Sequence, residues 1–189
     1  MSALWRRWTT APRFTPLLGI LIGALAGAVY WLGSQFWPIS VAVVLSMLAT
    51  AAFTAGRAPF GLTGVVFAVL VKYNALMALS AARLPFALPA NVALGLIMIA
   101  GNACSRALAV APKPGSYGDL GIAWAIGFAP AALLGIPGLV GLAAALAARI
   151  ACAAYTRRYA RSLTDVELVF QQVTEVCFYL GALASWAYV

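Results

Sequence analysis

The sequence predicts an all-α polytopic membrane protein. About seven transmembrane helices are expected, or six if the fifth and sixth are not separate, with the N-terminus cytoplasmic. Composition is the first ground. The 189 residues are 65% hydrophobic and only 8% charged, with a mean hydropathy of +0.98. A soluble domain is roughly half apolar and about a quarter charged. Second, apolar runs close to the ~20 residues that cross a bilayer recur along the chain. Third, ten of the twelve basic residues fall on one side of those runs. A net charge of +8 would suggest nucleic acid in a soluble protein. Here it reflects lysine and arginine held in cytoplasmic connections, and no nucleic-acid partner is expected.

The opening segment, MSALWRRWTTAPRFTP, is basic like the start of a secretory leader. The apolar run that follows exceeds the ~7–15 residues of a leader's apolar core. It meets the bulky Phe36-Trp37-Pro38 instead of a small-residue cleavage site. It is read as a retained anchor spanning 17–32. Gly19, Gly23 and Gly27 recur every fourth residue there, a stripe that lets helices approach closely. A short turn over 33–38 leads to a second span at 39–55. Gly56 to Gly61, with Pro59 between, breaks the chain before a third span at 62–82. Arg83-Leu84-Pro85 ends that span, and a fourth follows at 91–110. Pro112 to Asp119 is dense in Pro and Gly and reads as a loop. The fifth and sixth spans, 120–134 and 139–155, form a hairpin through Gly135-Ile136-Pro137-Gly138, and Pro130 interrupts the fifth. The seventh span is 166–188. The whole chain, 1–189, is then a single integral membrane domain.

Placing the N-terminus inside puts Arg6, Arg7, Arg13, Arg57, Arg106, Lys113, Arg149, Arg157, Arg158 and Arg161 on the cytoplasmic side. Only Arg83 falls opposite, and Lys72 lies within the membrane. Reversing the topology would reverse that bias. The halves show no internal repeat, which weighs against the many transporters built from one. There is no histidine, so neither an imidazole base nor a histidine metal ligand. Cys104, Cys152 and Cys177 are widely spaced in apolar runs and read as packed thiols rather than a disulfide framework.

Chemistry concentrates between Thr156 and Gly181, which holds three of the four acidic residues: Asp165, Glu167 and Glu175. With Thr164 as N-cap, Asp165 and Glu167 fall in the first turn of a helix, where its dipole favours negative charge. Glu175 lies about 15 Å further along the axis, too deep for that role. Gln171 and Gln172 share its face at helical spacing. A buried charge needs a partner, and Lys72 and Arg106 are the available ones. A Lys72–Glu175 pair that only joins two helices and a polar site facing the cytoplasm both remain open. Arg106, Lys113 and the loop around them suit a phosphate-bearing ligand or anionic lipid headgroups.

The order of these features resembles cobalamin synthase, the adenosylcobinamide-GDP ribazoletransferase family of bacterial inner membranes. The resemblance runs from Phe14 to about Leu183. Phe14-Thr15-Pro16-Leu17-Leu18-Gly19 and the residues to Gly23 look like the family's first long span. Phe60-Gly61-Leu62-Thr63-Gly64-Val65, followed by Lys72, is similar to its segment leading into a span with a lysine. Ser105-Arg106 resembles its Ser-Arg pair, and Lys113 to Leu120 occupies the place of a Gly-Leu-Gly loop. Arg157 and Arg158, Thr164-Asp165, and Glu175 ten residues after Asp165 follow its C-terminal pattern. In place of the family's long insert after the second span, with its aspartate cluster, this chain has only Ala55 to Gly61. It therefore resembles a shortened member.

The resemblance implies a multi-pass protein of the bacterial cell inner membrane that joins alpha-ribazole, or its phosphate, to adenosylcobinamide-GDP with release of GMP late in cobalamin biosynthesis. It implies Mg2+ as cofactor and Asp165 and Glu175 as catalytic or metal-holding groups. Arg57, Arg106, Lys113 and Lys72 would hold phosphate. The expected partners are the lipid bilayer, corrinoid and nucleotide small molecules, a second copy of the chain or other cobalamin-assembly proteins. A catalytically degenerate member that binds a corrinoid or nucleotide, or serves as an accessory membrane subunit, is the alternative reading. A small membrane transporter is the third.

Overall fold

Each apolar run becomes a helix. The computed structural model describes residues 12–54, 61–81, 89–110, 117–159 and 166–187. A single 3₁₀ turn at Pro12–Phe14 precedes α1 (Thr15–Phe36), α2 (Ile39–Thr54) and α3 (Gly61–Ala81). Then come α4 (Ala90–Ala109), α5 (Tyr117–Leu133), α6 (Ile136–Tyr159) and α7 (Val166–Ala187). The described residues are thus all-helical, and the fifth and sixth segments are separate helices. Among the described residues, four stretches are long and apolar enough to cross a bilayer: Thr15–Phe36, Asn91–Ala109, Ile136–Thr156 and Leu168–Trp186. Ile39–Ala52 and Val66–Ala81 are shorter apolar stretches.

Three expected boundaries move, each for a local reason. The turn expected over 33–38 shrinks, because α1 continues to Phe36. It stops where Trp37 turns extended (φ −129°, ψ 159°), as a residue before proline is pushed to do. The fifth helix begins at Tyr117, so Asp119 lies in its first turn instead of in a loop. It also runs through Pro130 to Leu133. The proline, three residues from the helix end, forfeits only its own N–H bond to the Ile126 carbonyl. The sixth helix starts at Ile136 rather than at residue 139 and accommodates Pro137 in its first turn, where the missing N–H is no loss. Gly135, at φ 65°, makes the tight joint between the two helices in a conformation that suits glycine.

α4 is the central helix, packed by α1, α3, α5, α6 and α7. The glycine stripe of α1 lies along it. A Cβ on Gly19 would come 2.5 Å from the Asn102 carbonyl, and one on Gly23 2.6 Å from the Ile99 Cα. One on Gly27 would come 3.1 Å from the Gly95 Cα. The descending partner numbers show that α1 and α4 run antiparallel. α6 and α7 close on each other in the same way, with Gly181 against Gly141 and Ala144. Small residues at such contacts let backbones approach where lipid offers no hydrophobic drive. Arg149 of α6 donates from Nε to the Leu108 carbonyl at 2.8 Å. Its guanidinium stands 3.9 Å from the Phe170 ring centroid, which ties α4, α6 and α7 together. Between these contacts lies a core that includes Tyr30, Leu76, Leu94, Met98, Phe178 and Tyr179.

Candidate functional site

Three helices deliver polar side chains to one place. Lys72 comes from the middle of α3 and Glu175 from the tenth residue of α7. Asn102 and Arg106 are one turn apart on α4. All four are buried, Glu175 to 2% exposure. The Lys72 ammonium donates to Glu175 Oε1 at 2.6 Å. The Tyr179 hydroxyl, one turn further along α7, donates to the same oxygen at 3.1 Å. Asn102 donates from Nδ2 to the Met98 carbonyl at 3.0 Å and makes a longer contact of 3.5 Å to the Tyr179 oxygen. The Lys72 Nζ also stands 5.7 Å from the Tyr179 ring centroid, within reach of the negative face of the ring. One carboxylate oxygen is therefore shared by an ammonium and a phenol, and both donors are held from other directions.

The helical period explains the convergence. Gln171, Glu175 and Tyr179 recur every fourth residue on α7 and form one polar stripe. Tyr179 is pressed into place from behind, since a Cβ on Gly101 of α4 would lie 2.6 Å from its ring. Gln171 and Glu175 of that stripe, with Lys72, Asn102 and Arg106, floor a cavity of about 430 Å³. Its opposite wall is apolar, built by α2 and α3 with Val44, Met47, Leu48, Ala68, Val69 and Leu70. The charged residues lining it are Lys72, Arg106 and Glu175, a balance of one net positive charge. Lys72 and Glu175 satisfy each other. Arg106 does not share in that pairing: its Nε is buried and finds no hydrogen-bond partner among the described residues. An unpaired buried donor costs free energy unless a ligand completes it. The cavity is therefore suited to an anion, and a planar guanidinium is well shaped for phosphate oxygens.

Three of the six expected site residues, Lys72, Arg106 and Glu175, are thus brought together. Arg57, Lys113 and Asp165 lie outside the described residues. Gln171 and Gln172, noted in sequence as neighbours of Glu175, both line the cavity. Asn102 was visible only as a polar residue in a span, and Tyr179 had no assigned part. Its signal was available, since it stands four residues after a buried carboxylate.

A magnesium ion does not fit the described donors. Magnesium takes oxygen ligands in near-octahedral array. The one described carboxylate in the cavity already spends Oε1 on Lys72 and Tyr179. Two cationic side chains stand beside it, and no group of three or more His, Cys, Asp or Glu occurs among the described residues. The thiols offer nothing more. Cys104 is buried and donates to the Gly127 carbonyl at 3.3 Å, and all three cysteines are free.

This is a membrane-type helical bundle with a cationic, half-apolar cavity built between α2, α3, α4 and α7. Comparison with known proteins narrows that class. A family model described as cobalamin-5-phosphate synthase matches residues 3–57. The chain is 31% identical to the adenosylcobinamide-GDP ribazoletransferase of Ralstonia nicotianae, across 93% of this chain and 84% of the relative. It is 30% identical to that of Leptothrix cholodnii, across 92% and 84%. A third, from Ralstonia pickettii, is 32% identical across 53% of this chain and 48% of its own length. None of the solved structures matches. The chain belongs to the adenosylcobinamide-GDP ribazoletransferase family. It is a shortened form: 93% of 189 residues is about 176, so about 50 of the 226 positions aligned with the Ralstonia nicotianae protein hold none of its residues. That shortfall accords with the brief Ala55–Gly61 connection where the family resemblance implied a long insert.

Proposed function

We propose that the chain is an adenosylcobinamide-GDP ribazoletransferase of the bacterial inner membrane, with the cavity end of the bundle facing the cytoplasm. The hydroxyl of alpha-ribazole, or of its phosphate, attacks the phosphorus bonded to cobinamide. A new P–O bond forms, the bond to GMP breaks, and the hydroxyl proton passes to a carboxylate. Arg106 and Lys72 neutralise the phosphate oxygens, the main demand of phosphoryl transfer. Glu175 orients the Lys72 ammonium toward the cavity. Asp165, ten residues earlier, is the remaining carboxylate for the attacking hydroxyl, with Arg57 and Lys113 as further phosphate ligands. Magnesium, if used, draws on Asp165 and on groups beyond the described set, and no step here is assigned to it.

The observation that carries this reading is the unpaired, buried Arg106 Nε in a cavity already holding a neutralised Lys72–Glu175 pair. The cavity-lining stretches of α2, α4 and α7 all lie toward the helix ends that flank residues 55–60, 111–116 and 160–165. Arg57, Lys113 and Asp165 belong to those three segments. The test is complementation of a bacterium lacking cobalamin synthase. Growth restored by this chain and lost with Asp165→Ala, Arg106→Ala or Glu175→Ala supports the transferase. Absent growth despite good membrane expression overturns it. The degenerate, ligand-binding alternative then requires measurable affinity for GDP-cobinamide without turnover. The thin described donor set is what favours that alternative.

A further inference from the structure

We propose that the cleft between α2 and α3 is a binding site for an anionic phospholipid of the surrounding leaflet. Its phosphate would sit on Arg106 and one acyl chain would lie between the two helices. This does not rest on the chain carrying out ribazole transfer, and a lipid phosphate and a substrate phosphate would take Arg106 in turn, each excluding the other. The cavity has two chemically unlike sides, a floor with surplus positive charge and a wall of aliphatic side chains. The wall is also an outer surface: Val44, Leu48, Val69 and Leu70 line the cavity and are still 44–59% exposed. α2 and α3 are consecutive, yet each packs mainly elsewhere, α2 on α1 and α3 on α7. The cavity therefore opens sideways between them, at a depth where the surrounding medium is lipid.

Depth along the helices fits the two ends of such a molecule. Arg106 lies three residues from the end of α4, about 4.5 Å in at 1.5 Å per residue. Leu48 lies about 9 Å and Val44 about 15 Å from the end of α2 on the same count. Val69 and Leu70 lie about 12 to 13.5 Å from the start of α3. A headgroup phosphate at the level of Arg106 would leave its acyl chain running inward along these four residues. The buried Arg106 Nε, without a partner among the described residues, gives the phosphate a donor, and the net positive lining disfavours a cationic headgroup beside it. Basic pockets between transmembrane helices recognise anionic headgroups in this way. A small free anion would satisfy Arg106 but leave the aliphatic half of the cavity unfilled.

The test uses the purified full chain in mild detergent, with lipid binding read by native mass spectrometry. Phosphatidylglycerol, phosphatidylcholine and inorganic phosphate are offered separately. Phosphatidylglycerol should be retained on the order of tenfold over phosphatidylcholine, whose phosphate is equally anionic but whose choline cation is repelled by the net positive cavity. Arg106→Gln should remove that preference. Val69→Trp, which fills the lateral opening without changing charge, should lower retention of phosphatidylglycerol while circular dichroism stays unchanged. If Arg106→Gln does not fold, Val69→Trp alone decides. Equal retention of the two lipids would overturn the proposal. So would inorganic phosphate binding as tightly as phosphatidylglycerol with no effect of Val69→Trp, which would make the cavity a free-anion site.

Discussion

Removing either member of the Lys72–Glu175 pair should destabilise the bundle, and the two removals should be unequal. At 2.6 Å the gross attraction is about 6 kcal/mol at an effective dielectric near 20, much of it offset by the desolvation of both groups. Stripping one partner from a buried pair costs about 3–5 kcal/mol. Glu175→Gln leaves Lys72 and Arg106 as two cations in one cavity with no lining anion. Lys72→Met leaves Glu175 with the Tyr179 hydroxyl and Arg106 still nearby. Glu175→Gln should therefore cost about 4–5 kcal/mol and Lys72→Met about 3, the ends of the range for a broken pair. The double variant removes both charges and should cost less than Glu175→Gln alone. The coupling energy should then be at least about 3 kcal/mol, the Lys72→Met cost. Unfolding by sodium dodecyl sulfate in mixed micelles, followed by circular dichroism, measures all three. Additive costs within about 0.5 kcal/mol would refute the reasoning, as would Lys72→Met proving the more damaging.

Two further outcomes follow from distances at the centre of the bundle. Gly23→Ala should lower stability by about 1–3 kcal/mol, the cost of overpacking, because its Cβ would meet backbone at 2.6 Å and 2.8 Å. Gly27→Ala, at 3.1 Å, should cost clearly less. Thermal melts in detergent rank the two, and the reverse order would show that α1 and α4 do not meet along this stripe. Tyr179→Phe removes one donor to the Glu175 carboxylate and should cost about 1 kcal/mol, in the range of side-chain hydrogen bonds within membranes. In a Glu175→Gln background the same change should cost measurably less, and an unchanged cost would separate Tyr179 from the pair.

The seven helices were readable because each is an apolar run closed by Pro, Gly or charge, and such runs have one stable form in lipid. Boundaries moved at Phe36, at Tyr117 and at Ile136, and at the last because Pro137 is accommodated in the first turn instead of delaying the helix. Glu175 was legible for a different reason. A carboxylate two and a half turns into an apolar helix must find a partner, and Lys72 and Arg106 were the basic residues within the spans that could reach it. Its pairing with Lys72 was named from the sequence as one of two open readings and is formed, although spacing within one helix could not decide between them, since it does not say which faces of α3 and α4 meet α7. Tyr179 shows the limit most clearly. It reads as one more aromatic in an apolar helix, and only Gly101 on α4, which leaves room for its ring, turns it toward Glu175. The consequence reaches Arg106. Lys72 and Tyr179 both bond Glu175 Oε1, while the Arg106 Nε finds no partner among the described residues. It is the pairing elsewhere, more than the arginine itself, that makes the cavity receptive to an anion.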